Sequence, residues 1–258
     1  MAILSKPTLL IDADLLVYKF AFGHQETFVW SEYVSSTHTE LDAAIIGLDA
    51  MVEDIAGEFD WAKVVMALSD PERNFRQEIY PGYKSNRKPE DRPLLWEGLR
   101  DYITGGAYKW YQKPGLEGDD VLGILATHPS LIRGDKVIVS TDKDMKTVPG
   151  HHYNLDTKSH MNISEEEADY WHLFQTLTGD VVDQYPGCPT IGAVRAKAIL
   201  EGATLGYWNS FMAWRGVVAA FEKRGLTKAD ALVQARLARI LRATDYDFDR
   251  KEPILWMP

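Results

Sequence analysis

One cysteine, Cys188, stands among 258 residues. It excludes an internal disulfide and a cysteine-built zinc site, and it points to a reducing cytoplasm. The seven histidines are scattered without an HExxH pair, so a histidine zinc site is not expected either. No apolar run nears the ~20 residues that cross a bilayer, and the apolar stretch after Met1 is too short for a signal peptide. There is no GxxxxGK[ST] and no GxGxxG, which leaves a P-loop or a dinucleotide fold without support. What is present is an ordinary globular balance, 45% hydrophobic and 26% charged. The length suits one large domain or two small ones with a buried core.

The formal net charge is −10, which by itself argues against a nucleic-acid partner. Its distribution argues the other way. Arg73 to Arg92 holds six basic and three acidic residues, and Arg195 to Arg242 holds nine and three. Two basic segments in an otherwise strongly acidic chain can hold phosphates on one surface and metal cations on another, although a charge run alone also fits a solvated helix face.

Thr8-Leu9-Leu10-Ile11 is a short apolar run that stops at Asp12. Val64 to Leu68 stops at Ser69-Asp70, and Lys136 to Ser140 stops at Thr141-Asp142. Residues 107–111 offer a fourth strand. Helical spacing marks Leu41 to Phe59, about 91–103 and 117–127. Strands alternating with helices predict an α/β fold with a mostly parallel sheet flanked by helices, whose ligands bind beyond the carboxyl ends of the strands. Three of these strands end in aspartate. After about residue 160 the pattern becomes helical: Ser164 with Glu167 forms a capping box for a helix to about Leu177, and others are expected over 193–200, 207–223 and 228–242. This divides the chain into an α/β core, 1–160, and a helical region, 161–258, packed on it. Trp61, Trp96, Trp110, Trp171 and Trp208 read as core or interface anchors.

Five acidic clusters stand out: Asp12 with Asp14, Asp70, Glu117-Gly118-Asp119-Asp120, Asp142 with Asp144, and Asp180 with Asp183. Each alone fits capping and turn chemistry. Together they fit a polyacidic site. Like charges ~4 Å apart repel by about 4 kcal/mol at an effective dielectric near 20, a cost that divalent cations offset. Oxygen donors without His or Cys favour Mg²⁺ or Mn²⁺, and two such ions can activate a water and stabilise the leaving oxygen of a phosphodiester.

The segment Asn74 to Lys88 mixes aromatic rings with Arg73, Arg76, Lys84, Arg87 and Lys88, a composition suited to bases and phosphates. Lys84 is a compact charge for a scissile phosphate, and Arg87 can hold a neighbouring phosphate bidentately. Pro186-Gly187-Cys188-Pro189-Thr190-Ile191-Gly192, followed by a helix bearing Arg195 and Lys197, resembles a helix–hairpin–helix, in which backbone N–H groups meet DNA phosphates. Cys188 reads as a small turn residue.

These residues, in this order, resemble the 5′-nuclease family of flap endonucleases and polymerase 5′ nuclease domains. The likeness runs through Leu10-Ile11-Asp12, Asp70, Tyr83-Lys84-Ser85-Asn86-Arg87, Glu117-Gly118-Asp119-Asp120, Ser140 to Asp144 and Gly179 to Gly192. Leu116 to Val121, Trp171 to Thr176, Ala238 to Arg242 and Leu255-Trp256 are similar to the 5′→3′ exonucleases of short-tailed bacteriophages. The resemblance implies a metal site lined by Asp12, Asp70, Glu117, Asp119, Asp120, Asp142, Asp144, Asp180 and Asp183. It implies that Tyr83, Lys84 and Arg87 engage the scissile region at the base of an arch or clamp, within 73–101. It also implies a hairpin bound to duplex through Gly187, Thr190, Gly192, Arg195 and Lys197, with K⁺ on its carbonyls. Thr190 stands where the family commonly has glycine, and the 73–101 interval is short for a threaded arch. The implied activity is Mg²⁺- or Mn²⁺-dependent 5′→3′ hydrolysis of duplex or flapped DNA and RNA–DNA hybrid. A monomer would act beside phage replication proteins in the host bacterial cytoplasm. The alternatives are a flap endonuclease without exonuclease preference and a non-catalytic forked-DNA-binding protein.

Overall fold

β1 (Thr8–Asp12) is buried on both faces, and its alternation sorts the core. Leu9 and Ile11 point into one apolar cluster with Leu16, Leu48 and Met66, while Leu10 joins a second with Val65, Leu122 and Ile138. The computed structural model describes residues 6–204 and 207–258, so the Met1–Ser5 stretch weighed as a signal peptide lies outside the described residues.

After β1 come α1 (Ala13–Gly23), β2 (Gln25–Ser31), β3 (Val34–Thr39), α2 (Leu41–Glu58), β4 (Lys63–Leu68), α3 (Phe75–Ile79), α4 (Trp96–Tyr102) and β5 (Lys109–Gln112). α5 (Gly118–Thr127), β6 (Lys136–Val139), β7 (Gly150–Asn154) and β8 (Ser159–Ile163) complete the sheet, and α6 (Glu165–Thr178), α7 (Ala193–Thr204), α8 (Ser210–Glu222) and α9 (Lys228–Ala238) follow. The sheet order is β5-β4-β1-β6-β7-β8. All its pairs are parallel except β7 with β8. The chain moves outward through β4 and β5 on one side of β1 and through β6 and β7 on the other. The switch point therefore lies at the carboxyl ends of β1 and β6, where Asp12 and Asp142 stand.

The capping box expected at Ser164–Glu167 forms, and Thr227 with Asp230 makes another at the start of α9. Cys188 is packed in the helical core with Leu177, Trp214 and Phe221. Among the described residues no helix is long and apolar enough to cross a membrane.

Several details differ from the sequence reading. β8 runs to Ile163, past the boundary drawn at 160, because it pairs with β7 at the sheet edge. The last helix stops at Ala238 rather than 242, since the chain turns there to lay Ile240 and Leu241 into the core beneath the sheet. β2 and β3 form a hairpin that the sequence reading left unassigned, its Glu32-Tyr33 turn lacking the usual Asn-Gly signal. Trp61 and Trp110 are exposed rather than anchored in the core.

Candidate metal centre and nucleic-acid interface

Side chains from six separate stretches meet in one cavity of about 440 Å³ at the switch point. Asp12 and Asp14 come from the β1–α1 junction, Glu117 and Asp119 from the start of α5, Asp142 and Asp144 from the turn after β6, and Asp180 and Asp183 from the turn after α6. Ser69 and the Lys84–Arg87 stretch supply the remaining two. The eight carboxylates face three cations, Lys84, Arg87 and Lys143. Gathering them is possible because several sit where local structure already uses carboxylates. Asp12 caps α1 through Leu15 N at 3.1 Å. Asp142 accepts from Asp144 N at 2.7 Å, and Asp180 accepts from Val182 N at 2.7 Å and Asp183 N at 3.1 Å.

The excess negative charge shows in the proton affinities. Burial, then the charges of Asp14 and Asp142, push the Asp12 carboxyl up to about 7. Burial and then Asp142 raise Asp144 to about 6. Asp119 is raised well above the carboxylate range by burial and by Asp12 and Asp142. Among the described residues no hydrogen-bond donor pairs with it. Glu117 goes the other way. Burial would raise it, but Lys84 and Arg76, with hydrogen bonds from Lys84 and Tyr83, hold it at about 2. Asp180 is likewise lowered against burial, by Lys143 and by the backbone of Asp183 and Val182.

Among the described residues no three His, Cys, Asp or Glu side chains already form a closed cage, because basic side chains stand among them. Lys84 Nζ pairs with Glu117 Oε1 and lies 3.3 Å from Asp183 Oδ2. Lys143 Nζ lies 3.0 Å from Asp180 Oδ2, and Arg87 Nη2 lies 2.9 Å from Asp183 Oδ1. The donor set nevertheless fits hard divalent cations: it is all oxygen, and burial and neighbouring carboxylates make the charged forms of Asp12, Asp119 and Asp144 unfavourable without a cation.

The raised carboxyls give a signed pH dependence for the metal-free protein. Between about pH 4 and pH 7 the folded state holds protons on Asp12 and Asp144 that an unfolded chain, titrating near 3.8, has released. Stability therefore falls as pH rises through that window. Glu117 and Asp180, both lowered, lose their stabilising contribution only at more acidic pH. We expect the melting temperature in chelator to drop by roughly 5 °C or more from pH 5 to pH 8. Mn²⁺ should recover most of it at pH 8 and little at pH 5. Thermal unfolding at fixed salt checks this, and a flat profile would contradict it.

Two carboxylates expected at the metal do not line this cavity. Asp120 is fully buried and outside the cavity. Its oxygens accept from Arg76 Nη1 and Nη2, both at 2.7 Å, and from Leu241 N at 3.0 Å. Asp70 braces a loop, accepting from Gly115 N at 2.6 Å and Glu72 N at 3.0 Å, and lines only the neighbouring cavity. Arg76, expected on DNA, is 2% exposed and bound internally. Tyr83 is also buried, its hydroxyl donating to Glu117 Oε2 at 2.9 Å and Asp183 Oδ2 at 3.1 Å, so it orients two carboxylates of the cavity rather than lining the groove. Asp14, named in an acidic cluster but left out of the implied metal site, accepts from Arg100 Nη1 at 2.6 Å and Ser69 N at 2.7 Å. Ser140, hydrogen-bonded to Asp12 at 3.4 Å, and Gln175, which donates to Asp144, also reach the site. Both stood within quoted motifs, Ser140 to Asp144 and Trp171 to Thr176, without a site role assigned to them.

A second cavity of about 380 Å³ opens beside the first and shares Asp14, Tyr18, Ser69, Lys84, Arg87 and Glu117 with it. Arg73, Lys88, Arg92 and Arg100 line it. Arg73 pairs with Glu78 at 2.9 Å and Lys88 lies 4.0 Å from Glu90, both exposed and cheaply exchanged for phosphates. The short 73–101 segment is tied down, with Arg92 Nη2 donating to Pro71 O at 2.8 Å and Leu94 N to Gln25 Oε1 at 2.9 Å.

The hairpin between α6 and α7 has the expected shape with different roles for its parts. Gly187 is not an outward donor. Its N–H goes to Gln234 Oε1 at 2.8 Å, and with φ +63° it packs on Gly179, where an added Cβ would lie 2.6 Å from Thr178 C. Gly187→Ala should therefore cost about 3 kcal/mol and lower the melting temperature by roughly 10 °C, read by calorimetry; an unchanged midpoint would contradict the packing argument. Thr190 keeps the left-handed backbone that glycine favours, φ +63°. Its carbonyl accepts from Arg195 Nη1 at 2.7 Å, and that of Pro189 from Arg224 Nε at 2.5 Å. Gly192, Arg195 and Lys197 are exposed at the start of α7, with Lys197 3.7 Å from Glu201.

A carboxylate cavity at the switch point of a parallel sheet, opening onto a basic groove, has the donor chemistry that suits hard cations and phosphates. The chain belongs to the 5′–3′ exonuclease family, since the model of the 5′–3′ exonuclease, N-terminal resolvase-like domain, matches residues 7–171. It is 31% identical to the exonuclease of Escherichia phage T7, over 98% of this chain and 94% of that protein. It is also 31% identical to the exodeoxyribonuclease of Enterobacteria phage T3, over 98% and 93%. In fold it is similar to the T5 D15 protein co-crystallised with metal ions, with TM-score 0.61, 14% identity and coverage of 90% of this chain and 97% of that one.

Proposed function

We propose that this chain is a divalent-metal-dependent 5′→3′ exodeoxyribonuclease acting on 5′ ends of duplex or flapped DNA. RNA strands of RNA–DNA hybrids are further substrates, and the setting is phage replication and recombination in the host bacterial cytoplasm, as a monomer. The observation that carries this reading is the continuity of the carboxylate cavity with the basic groove through Lys84, Arg87 and Glu117. Asp12, Glu117, Asp119, Asp142 and Asp144 would hold the ions, with Asp180 and Asp183 beside them. When bound, Mg²⁺ or Mn²⁺ supplies water activation and charge neutralisation at the phosphodiester.

The chain's own residues do the rest. Lys84 stands between both cavities, and its ammonium can leave Glu117 for the scissile phosphate and stabilise charge developing there. Arg87, more than half exposed, exchanges Asp183 for a neighbouring phosphate. The exposed N-terminal turn of α7, with Arg195 and Lys197, meets the duplex backbone without reading sequence. K⁺ is not part of the proposal, because the Pro189 and Thr190 carbonyls already accept guanidinium donors.

The test is Asp142→Ala on a 5′-labelled duplex with Mg²⁺. We expect nucleotide release to fall to background with the fold retained; near-normal cleavage would remove the reading. A duplex with blocked 5′ ends separates exonuclease from flap endonuclease action, the first requiring a free end.

A further inference from the structure

Arg76 has five N–H donors, and all have acceptors inside the protein. Nε donates to Leu237 O at 3.0 Å. Nη1 donates to Glu117 Oε2 at 2.9 Å and Asp120 Oδ2 at 2.7 Å. Nη2 donates to Asp120 Oδ1 at 2.7 Å and Arg239 O at 2.6 Å. One guanidinium thus joins the α3 segment, the start of α5 and the end of α9. We infer that Arg76 is a positioning residue that locks Glu117 for cation binding and ties the 237–241 turn to the metal centre. The inference rests on the metal-dependent reading proposed above.

Asp120 is what allows a buried cation to sit so close. It neutralises the guanidinium, so Arg76 orients Glu117 without cancelling its charge. Arg76 and Tyr83 both engage Glu117 Oε2, while Lys84 engages Oε1. If Lys84 moves to a phosphate, Oε1 is released and the carboxylate keeps its orientation. An ammonium could not serve, because it lacks the planar fork that spans Asp120 and two carbonyls. Outer partners of metal ligands are commonly worth 10–100-fold in metal affinity.

The test uses the full chain. Removing one member of a buried ion pair strands the other, so Arg76→Met is combined with Asp120→Asn, which removes both charges and keeps an acceptor for Leu241 N. Arg76→Lys is the second variant. Mn²⁺ binding without DNA is measured by electron paramagnetic resonance, well below the melting temperature. Affinity for a 5′-overhang duplex is measured in Ca²⁺ over a salt series. We expect Mn²⁺ affinity to fall about tenfold or more in the double variant and less in Arg76→Lys, with duplex affinity within about twofold and an unchanged salt slope. Wild-type Mn²⁺ affinity in either folded variant overturns the inference. So does a salt slope reduced by about one with Mn²⁺ binding intact, the mark of a phosphate contact. Failure of the wild-type protein to bind Mn²⁺ would instead overturn the metal-dependent reading, and this inference with it.

Discussion

Replacing Lys84 by methionine should lower the rate of 5′-end hydrolysis about 10²–10³-fold, the usual consequence of removing one donor aimed at developing charge. Mn²⁺ binding to the free protein should be as tight as in the wild type or tighter. The two effects have one cause. Lys84 is seven-eighths buried, pairs with Glu117 and lies 3.3 Å from Asp183. In the free protein it is a resident cation, and like charges at ~4 Å repel by about 4 kcal/mol at an effective dielectric near 20. Its removal relieves a competitor for Glu117 Oε1, while Arg76 and Tyr83 keep the carboxylate in place. A residue that merely helped to build the metal site would lose both properties together. Single-turnover rates at saturating Mg²⁺, set beside Mn²⁺ titrations without DNA, separate the cases. A rate within tenfold of wild type would contradict the assignment of Lys84 to the phosphate.

Asp119→Asn should abolish cleavage, by a factor of about 10³ or more, while making the metal-free protein more stable at pH 8. Asp119 is raised by burial and by Asp12 and Asp142, and no donor among the described residues satisfies it. At pH 8 its charge is costly without a cation. The neutral amide removes that cost, so the melting temperature in chelator should rise. The Asp12 carboxyl, now at about 7, should titrate lower once a neighbouring charge is gone. Calorimetry in chelator and carboxyl titration by NMR check the two parts. A melting temperature that falls, with cleavage retained, would contradict the placement of Asp119 in an unbalanced acidic cavity. On the proposed reading, function and stability oppose one another here, because carboxylates gathered to hold cations repel one another without them.

The acidic clusters were legible because each lies at a place that local rules mark. Asp12 follows an apolar strand, Glu117 precedes a helix, and Asp142 ends another strand; hydrophobic period and turn chemistry suffice to find such positions. The same rules could not distinguish Asp119 from Asp120. They are adjacent on one helix, about 100° apart around its axis, and one faces the cavity while the other faces Arg76. Nor could they tell Arg76 from Arg73, since composition treats a basic run as one surface. Gln175 and Arg100 reach the acidic site from other helices, and although Gln175 stands in the Trp171–Thr176 stretch quoted for the resemblance, neither residue type announces the contact.

By itself, then, the sequence determined the parallel α/β framework, the helical second half and the inventory of oxygen donors and cations, because these depend on periodicity and residue type over short spans. Which donors converge, which are neutralised by a buried guanidinium, and which glycine packs rather than donates was decided only by the tertiary structure. Most of those outcomes depend on contacts between residues far apart in the chain, such as Tyr83 with Glu117, 34 positions apart, and Arg76 with Arg239, 163 apart, and no local pattern encodes the direction in which a side chain meets a partner that far along the chain.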